Sequence, residues 1–260
     1  MQAVHSVEVL LRRDRWVIAG GVVGAATLAW AYQLYMVWGM EHGSKVIAML
    51  MPNTQSWTAF DAFLLFAMWV LMMVAMMLPS VAPTVLAFAE VNRRRREQQS
   101  PFVCTGVFLS GYLTAWVGFS LVATAAQLAL HTAALLSPAM VATIPVLGAG
   151  LLFATGVFQW TPLKQACLSR CRSPLGFVLT HWREGAAGAF GVGLLHGAYC
   201  TGCCALLMAL LFVNGVMNIA WIAVLTLFVL AEKLLPWPIW PGRLAGLLLC
   251  IWGAWVLTAR

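Results

Sequence analysis

Hydrophobic and polar positions along the chain fall into long apolar runs separated by short polar breaks. The runs read as spans at Trp16–Trp38, Thr58–Ala89, Phe102–Leu130, Ala139–Phe158, Ala186–Val213, Met217–Leu235 and Arg243–Leu257. They run from 15 to 32 residues, on either side of the ~20 that a helix needs to cross ~30 Å of hydrocarbon. Lipid offers no partner to a free backbone amide, so such runs are expected as helices. Pro79 and Pro83 sit in the second half of the second run and predict a kink or an early end there. The pattern predicts an all-α polytopic membrane protein with about seven transmembrane helices and a single domain over residues 1–260.

Composition agrees with that reading: 62% of residues are hydrophobic and 9% are charged, against about 25% charged in ordinary globular chains. The first run is too long for the apolar region of a signal peptide, and no small-residue cleavage site follows it. The net charge of +7 would suit nucleic acid, but its placement follows membrane sidedness. Seven spans with a cytoplasmic N-terminus and a periplasmic C-terminus put 13 of the 15 Lys and Arg residues on the inner side, leaving Lys45 and Arg260 outside. The run Arg93–Arg96 is then a topology determinant and phospholipid contact, with no nucleic acid partner. The expected location is the bacterial inner membrane, multi-pass.

Candidate chemistry is concentrated in the fifth span. His196, Cys200, Cys203 and Cys204 stand at i, i+4, i+7 and i+8, one face of a helix. Imidazole and thiols are costly in hydrocarbon and mark a task there. They suit Cu(I) or Zn(II), and adding thioethers points to Cu(I) as the ligand, with zinc the alternative. The second span supplies thioethers: Met68, Met72 and Met76 repeat at i, i+4 and i+8, with Met73 and Met77 on the adjacent flank. Methionine also serves as core filler, but antiparallel spans would set Met72, Met73, Met76 and Met77 at the depth of His196–Cys204. Gly193 and Gly197 permit close approach of a partner helix.

Two further groups are candidates. Cys167 and Cys171, one helical turn apart between Pro162 and Pro174, read as a possible cytoplasmic exchange site on an amphipathic helix. Met36, Met40, His42, Met49 and Met51, with His131, could capture copper on the outer side. Glu232 and Lys233 read as an ion pair or helix-end anchor. Cys200–Cys203 is also a Cys-x-x-Cys, which would allow thiol–disulfide exchange if a glycine broke the helix. No phosphate-binding loop, nucleophile elbow, zinc-protease or dinucleotide motif is present, and no catalytic residue is assigned.

Three stretches together resemble a family of predicted metal-binding integral membrane proteins, domain of unknown function twenty-one eighty-two. The matching residues are Met68-Trp69, Met72 and Ala75 to Ser80; then Thr161 to Lys164, Cys167 and Cys171 to Pro174. Gly193, Gly197, Cys200, Gly202 to Cys204, Met208, Met217-Asn218, Trp221 and Glu232-Lys233 continue the resemblance. It covers about residues 60–235, and Ala205 stands where the family is expected to carry tryptophan. It implies metal binding and no particular reaction. The expectation is a copper-binding membrane protein, acting as transporter, chaperone or assembly factor for a membrane cuproenzyme. The alternatives are a membrane thiol oxidoreductase using Cys200/Cys203 and an accessory subunit of a larger membrane complex.

Overall fold

The computed structural model describes residues 2–43, 57–97, 104–137, 140–235 and 240–259. These form α1 (Gln2–Glu41), α2 (Ala59–Glu97), α3 (Thr105–Thr132), α4 (Pro145–Phe158) and α5 (Pro162–Arg172). They continue as α6 (Pro174–His181), α7 (Gly185–Ala209), α8 (Leu211–Asn214), α9 (Ile219–Leu234) and α10 (Trp240–Thr258). Among the described residues the β contribution is an isolated bridge between Leu136 and Ala142.

Among the described residues the chain is all-α, and five helices are long and apolar enough to cross a membrane: Trp16–Met40, Ala59–Arg95, Thr105–Thr132, Gly185–Asn214 and Trp240–Thr258. Helices α4 and α5 meet at a 66° bend, so together they form a broken sixth candidate or a re-entrant element. Large apolar side chains such as Leu121 and Val122 of α3 and Leu248, Ile251 and Trp255 of α10 face outward. So much exposed apolar surface is untenable in water and ordinary against lipid.

Local chemistry explains the helix ends. Thr58 and Asp61 form a reciprocal capping pair at the start of α2, Thr58 N to Asp61 Oδ2 at 3.0 Å and Asp61 N to Thr58 Oγ1 at 3.2 Å. Thr161 caps α5 and Asn218 caps α9, and proline opens α4, α5 and α6, where its missing N–H costs nothing.

Helix α2 departs from the expected early end: it continues past Pro79, Pro83 and the arginines to Glu97. Pro79 cannot donate to the carbonyl of Ala75, one turn before it. Trp30 of α1 takes that acceptor, Nε1 to Ala75 O at 3.0 Å, so a neighbouring helix repairs the ladder. Beyond the apolar segment, Glu90 pairs with Arg93 and Arg94 and helps carry the helix through the basic run.

The core lies where α3 crosses α7. A Cβ at Gly193 would stand 1.9 Å from Phe108 O, and one at Gly111 would stand 2.1 Å from Phe190 O. Only glycine allows these two backbones to come so close. Helix α2 packs on α1 and α3 and also meets α6 and α9; α5 packs on α7, and α10 on α4.

Candidate metal centre

Helix α7 runs unbroken through Gly197 and Gly202, so the Cys-x-x-Cys lies in mid-helix. His196, Cys200, Cys203 and Cys204 are all buried. Cys203 and Cys204 donate their thiols to the Cys200 carbonyl, at 3.1 and 2.7 Å, the back-bonding that small polar side chains make inside helices. Cys200 instead directs its sulfur at other elements. Its Sγ lies 3.2 Å from the Tyr112 hydroxyl of α3 and accepts from Lys233 Nζ of α9 at 3.0 Å. Lys233 also donates to Ser80 Oγ of α2 at 2.8 Å, and Ser80 donates to Met77 O at 2.9 Å. Tyr112 is within 3.4 Å of that same Met77 carbonyl.

A fourth thiol joins them. Cys171 of α5 is buried, and the packing of α5 on α7 brings its thiol into interaction with those of Cys200 and Cys203. The two cysteines of α5 therefore do not form a site apart from the α7 thiols. Cys171 belongs to the cluster, and Cys167 stands beside it, its sulfur 3.1 Å from where a Cβ on Gly202 would be. The buried face of α5 is Lys164, Leu168 and Cys171, at i, i+4 and i+7, and it rests against α7.

The methionines are placed differently from the expectation of two facing spans. Helix α2 is not a close-packed neighbour of α7; Tyr112 and Lys233 fill the space and touch both. Met72, Met73, Met76 and Met77 are fully enclosed by protein. Trp69 bonds Gln127 of α3 and Ser80 bonds Lys233. Met73 and Met76 share the stripe between those two anchors, at i+4 and i+7 from Trp69, with Met77 beside it. Met68 and Met72 share the stripe of Ala75, whose carbonyl meets α1.

His196 lies one turn from Cys200 with its ring among Phe177, Tyr112 and Phe108, at 4.8, 5.9 and 6.3 Å between centroids. Its Nδ1 is buried without a hydrogen-bond partner among the described residues. Of the outer candidates, His42 stacks on Trp38 and His131 lies against Trp57. Met36 is buried and Met40 exposed; Met49 and Met51 lie outside the described residues.

Chemically this is a soft donor set gathered from two helices, with a free imidazole nitrogen one turn away. Among the described residues, no three His, Cys, Asp or Glu side chains already converge in metal-holding geometry. The hydrogen bonds give the reason: Cys203 and Cys204 are turned onto a carbonyl, and an ammonium sits against Cys200. The residue types fit a thiophilic monovalent ion, and holding one with Cys203 or Cys204 requires those thiols to turn away from the Cys200 carbonyl.

Lys233 and Tyr112 are the participants that the sequence pattern does not reveal. Lys233 pairs with sulfur and not with its neighbour Glu232. That carboxylate meets Lys164 Nζ at 2.6 and 2.9 Å, both groups buried, and Gln159 completes the ammonium's shell. Tyr112 could have been flagged as a hydroxyl deep in an apolar span.

The model of the PpoB2 family, described as copper chaperone, matches residues 66–256. The chain belongs to this family. The matched region takes in all four clustered thiols, Tyr112, Lys233 and the methionines of α2. No curated protein and no solved structure matches the chain.

Proposed function

We propose that this member of the copper chaperone family is a bacterial inner-membrane protein that holds Cu(I) as cargo and supplies it to a membrane cuproenzyme. The observation that carries the reading is the convergence of Cys171 from α5 on Cys200 and Cys203 of α7, in a family whose description is copper chaperone. Two or three thiolates are a preferred environment for Cu(I). Cys200, Cys203, Cys204 and Cys171 are the primary ligands in this proposal, with His196 and the Met77 thioether in support. Met72 and Met73 stand farther along α2.

Lys233 gives the site its electrostatic logic. One Cu(I) held by two thiolates carries a net charge of −1, and the adjacent ammonium offsets it where water cannot. Zinc, a dication, would need a further thiolate to reach the same balance. Cys167, beside Cys171, would let the ion leave by exchange of one thiolate for the next, without ever being free. The positive-inside distribution of Lys and Arg supports seven spans with a cytoplasmic N-terminus, which sets α5 at the inner face.

Metal analysis combined with thiol counting tests the proposal on protein purified with reductant. The expected result is tightly held Cu(I) with all thiols reduced, lost in Cys200→Ser or Cys203→Ser and kept when Cys104 and Cys250 are both alanine. Loss of copper from that Cys104/Cys250 variant would put the site elsewhere. A disulfide joining Cys200 to Cys171 or Cys203 would favour thiol exchange, and neither copper nor disulfide would favour an accessory subunit.

A further inference from the structure

Helix α3 carries a buried polar stripe that the thiol cluster does not use. Tyr112, Trp116, Ser120 and Thr124 follow one another at i+4 spacing, and Gln127 continues the face. Ser120 and Thr124 satisfy their hydroxyls on the preceding turn. Trp116 Nε1, Gln127 Nε2 and His131 Nε2 are buried and have no hydrogen-bond partner among the described residues. Trp116 and Gln127 are 1% and 0% exposed. Three unpaired nitrogens along one side of one membrane helix are not explained by packing.

The stripe faces thioethers. Trp69 Nε1 of α2 donates to Gln127 Oε1 at 2.7 Å, and the Tyr112 hydroxyl lies 3.4 Å from Met77 O. These contacts fix the antiparallel register of α2 and α3 at two points. Between them the α2 face is Trp69, Met73 and Met76, with Met77 alongside. From His131 to Tyr112 the seam runs about 28 Å at helical rise, close to the hydrocarbon thickness of a bilayer. It ends at Tyr112, which touches Cys200.

We propose that the seam between α2 and α3 is the path by which a soft monovalent cation reaches the thiol cluster, entering at His131 and passing Met73 and then Met76 and Met77. The inference rests on the thiol cluster being the copper site. Thioethers bind Cu(I) or Ag(I) weakly enough to release it, which a path requires and a storage site does not. The indole faces of Trp69 and Trp116 attract a desolvated cation. The unpaired nitrogens are positions where water can be held, its lone pairs free for the ion. Met68 and Met72, which share the stripe of Ala75, lie outside the path.

The test uses the full chain in nanodiscs and Ag(I), which does not change oxidation state. The readouts are the rate at which silver protects the cluster thiols from alkylation and the final silver content per chain. Met73→Leu with Met76→Leu should slow protection at least tenfold and leave the final content unchanged. Met68→Leu with Met72→Leu should stay within twofold of the parent. Met73→Cys, which restores a sulfur, should recover the rate in the Met76→Leu background and guards against a folding artefact. Equal rates in the two double variants would overturn the path and leave the thiol site standing. A parent protein whose thiols silver does not protect would overturn both.

Discussion

Replacing Lys233 by methionine separates its chemical role from its structural one. Lys233 is 8% exposed, and its ammonium makes two bonds, 3.0 Å to Cys200 Sγ and 2.8 Å to Ser80 Oγ. Hydrogen bonds to a charged donor contribute about 1.5–3 kcal/mol each, and burying an ammonium costs several kcal/mol. The two nearly cancel. Neither partner is stranded, because Cys200 keeps Tyr112 and Ser80 keeps Met77 O. Lys233→Met should therefore fold, with stability within about 2 kcal/mol of the parent. Copper affinity should respond more. Loss of a group that supports the ligands typically lowers metal affinity about 10–100-fold, or about 1.4–2.8 kcal/mol. Lys233→Arg, which keeps the charge, should retain most of it. Competition against a chromophoric Cu(I) chelator, beside thermal unfolding in detergent, reads both quantities. A Lys233→Met protein that binds Cu(I) as tightly as the parent would refute the charge argument. So would an equal loss in the arginine variant.

Three other outcomes follow from the same geometry. Cys171→Ser should weaken Cu(I) binding as much as Cys203→Ser does, since both touch Cys200; a negligible effect in the chelator assay would remove α5 from the site. Gly193→Ala puts a methyl group 1.9 Å from the Phe108 carbonyl and should cost about 1–3 kcal/mol or more as the helices part; an unshifted thermal midpoint would show that the crossing is looser than described. Glu232→Ala should destabilise by about 3–5 kcal/mol by stranding the buried Lys164 ammonium, whereas Lys164→Met with Glu232→Met should be near neutral; equal destabilisation by both would mean that the pair contributes by packing and not by charge.

Much of this architecture is legible in the chain because lipid imposes simple rules. Apolar runs have to become helices, and a regular helix fixes which residues share a face, so His196, Cys200, Cys203 and Cys204 could be grouped by spacing alone. Spacing within a helix says nothing about what lies across from it. Cys171 sits in a polar stretch of α5 whose approach to α7 depends on the 66° bend after α4; Thr161 and Pro162 mark the break, but no local pattern encodes its angle. The methionines show the same limit: their repeat is visible, but which stripe meets α3 is set by Trp69–Gln127 and Ser80–Lys233, contacts between residues distant in sequence. The early end that the prolines of α2 allowed for is avoided for a related reason, because the acceptor freed by Pro79 is satisfied from α1.

Glu232 and Lys233 show how one turn of α9 can serve both stability and chemistry. Consecutive helical residues point about 100° apart, so Glu232 reaches α5 while Lys233 reaches α7 and α2. On α5, the partner Lys164 stands seven residues before Cys171 on the same buried face. The Lys164–Glu232 pair thus ties together the two helices that deliver Cys171 and Lys233 to Cys200. If the pair sets their register, Glu232→Ala should lose copper affinity together with stability, and Lys164→Met with Glu232→Met, which restores stability without the pair, should not restore the affinity. Lys233→Met should instead lose affinity with stability preserved. A Glu232→Ala protein that is destabilised yet binds Cu(I) with parental affinity would show that the ion pair and the thiol cluster are independent, and that their adjacency in α9 carries no function.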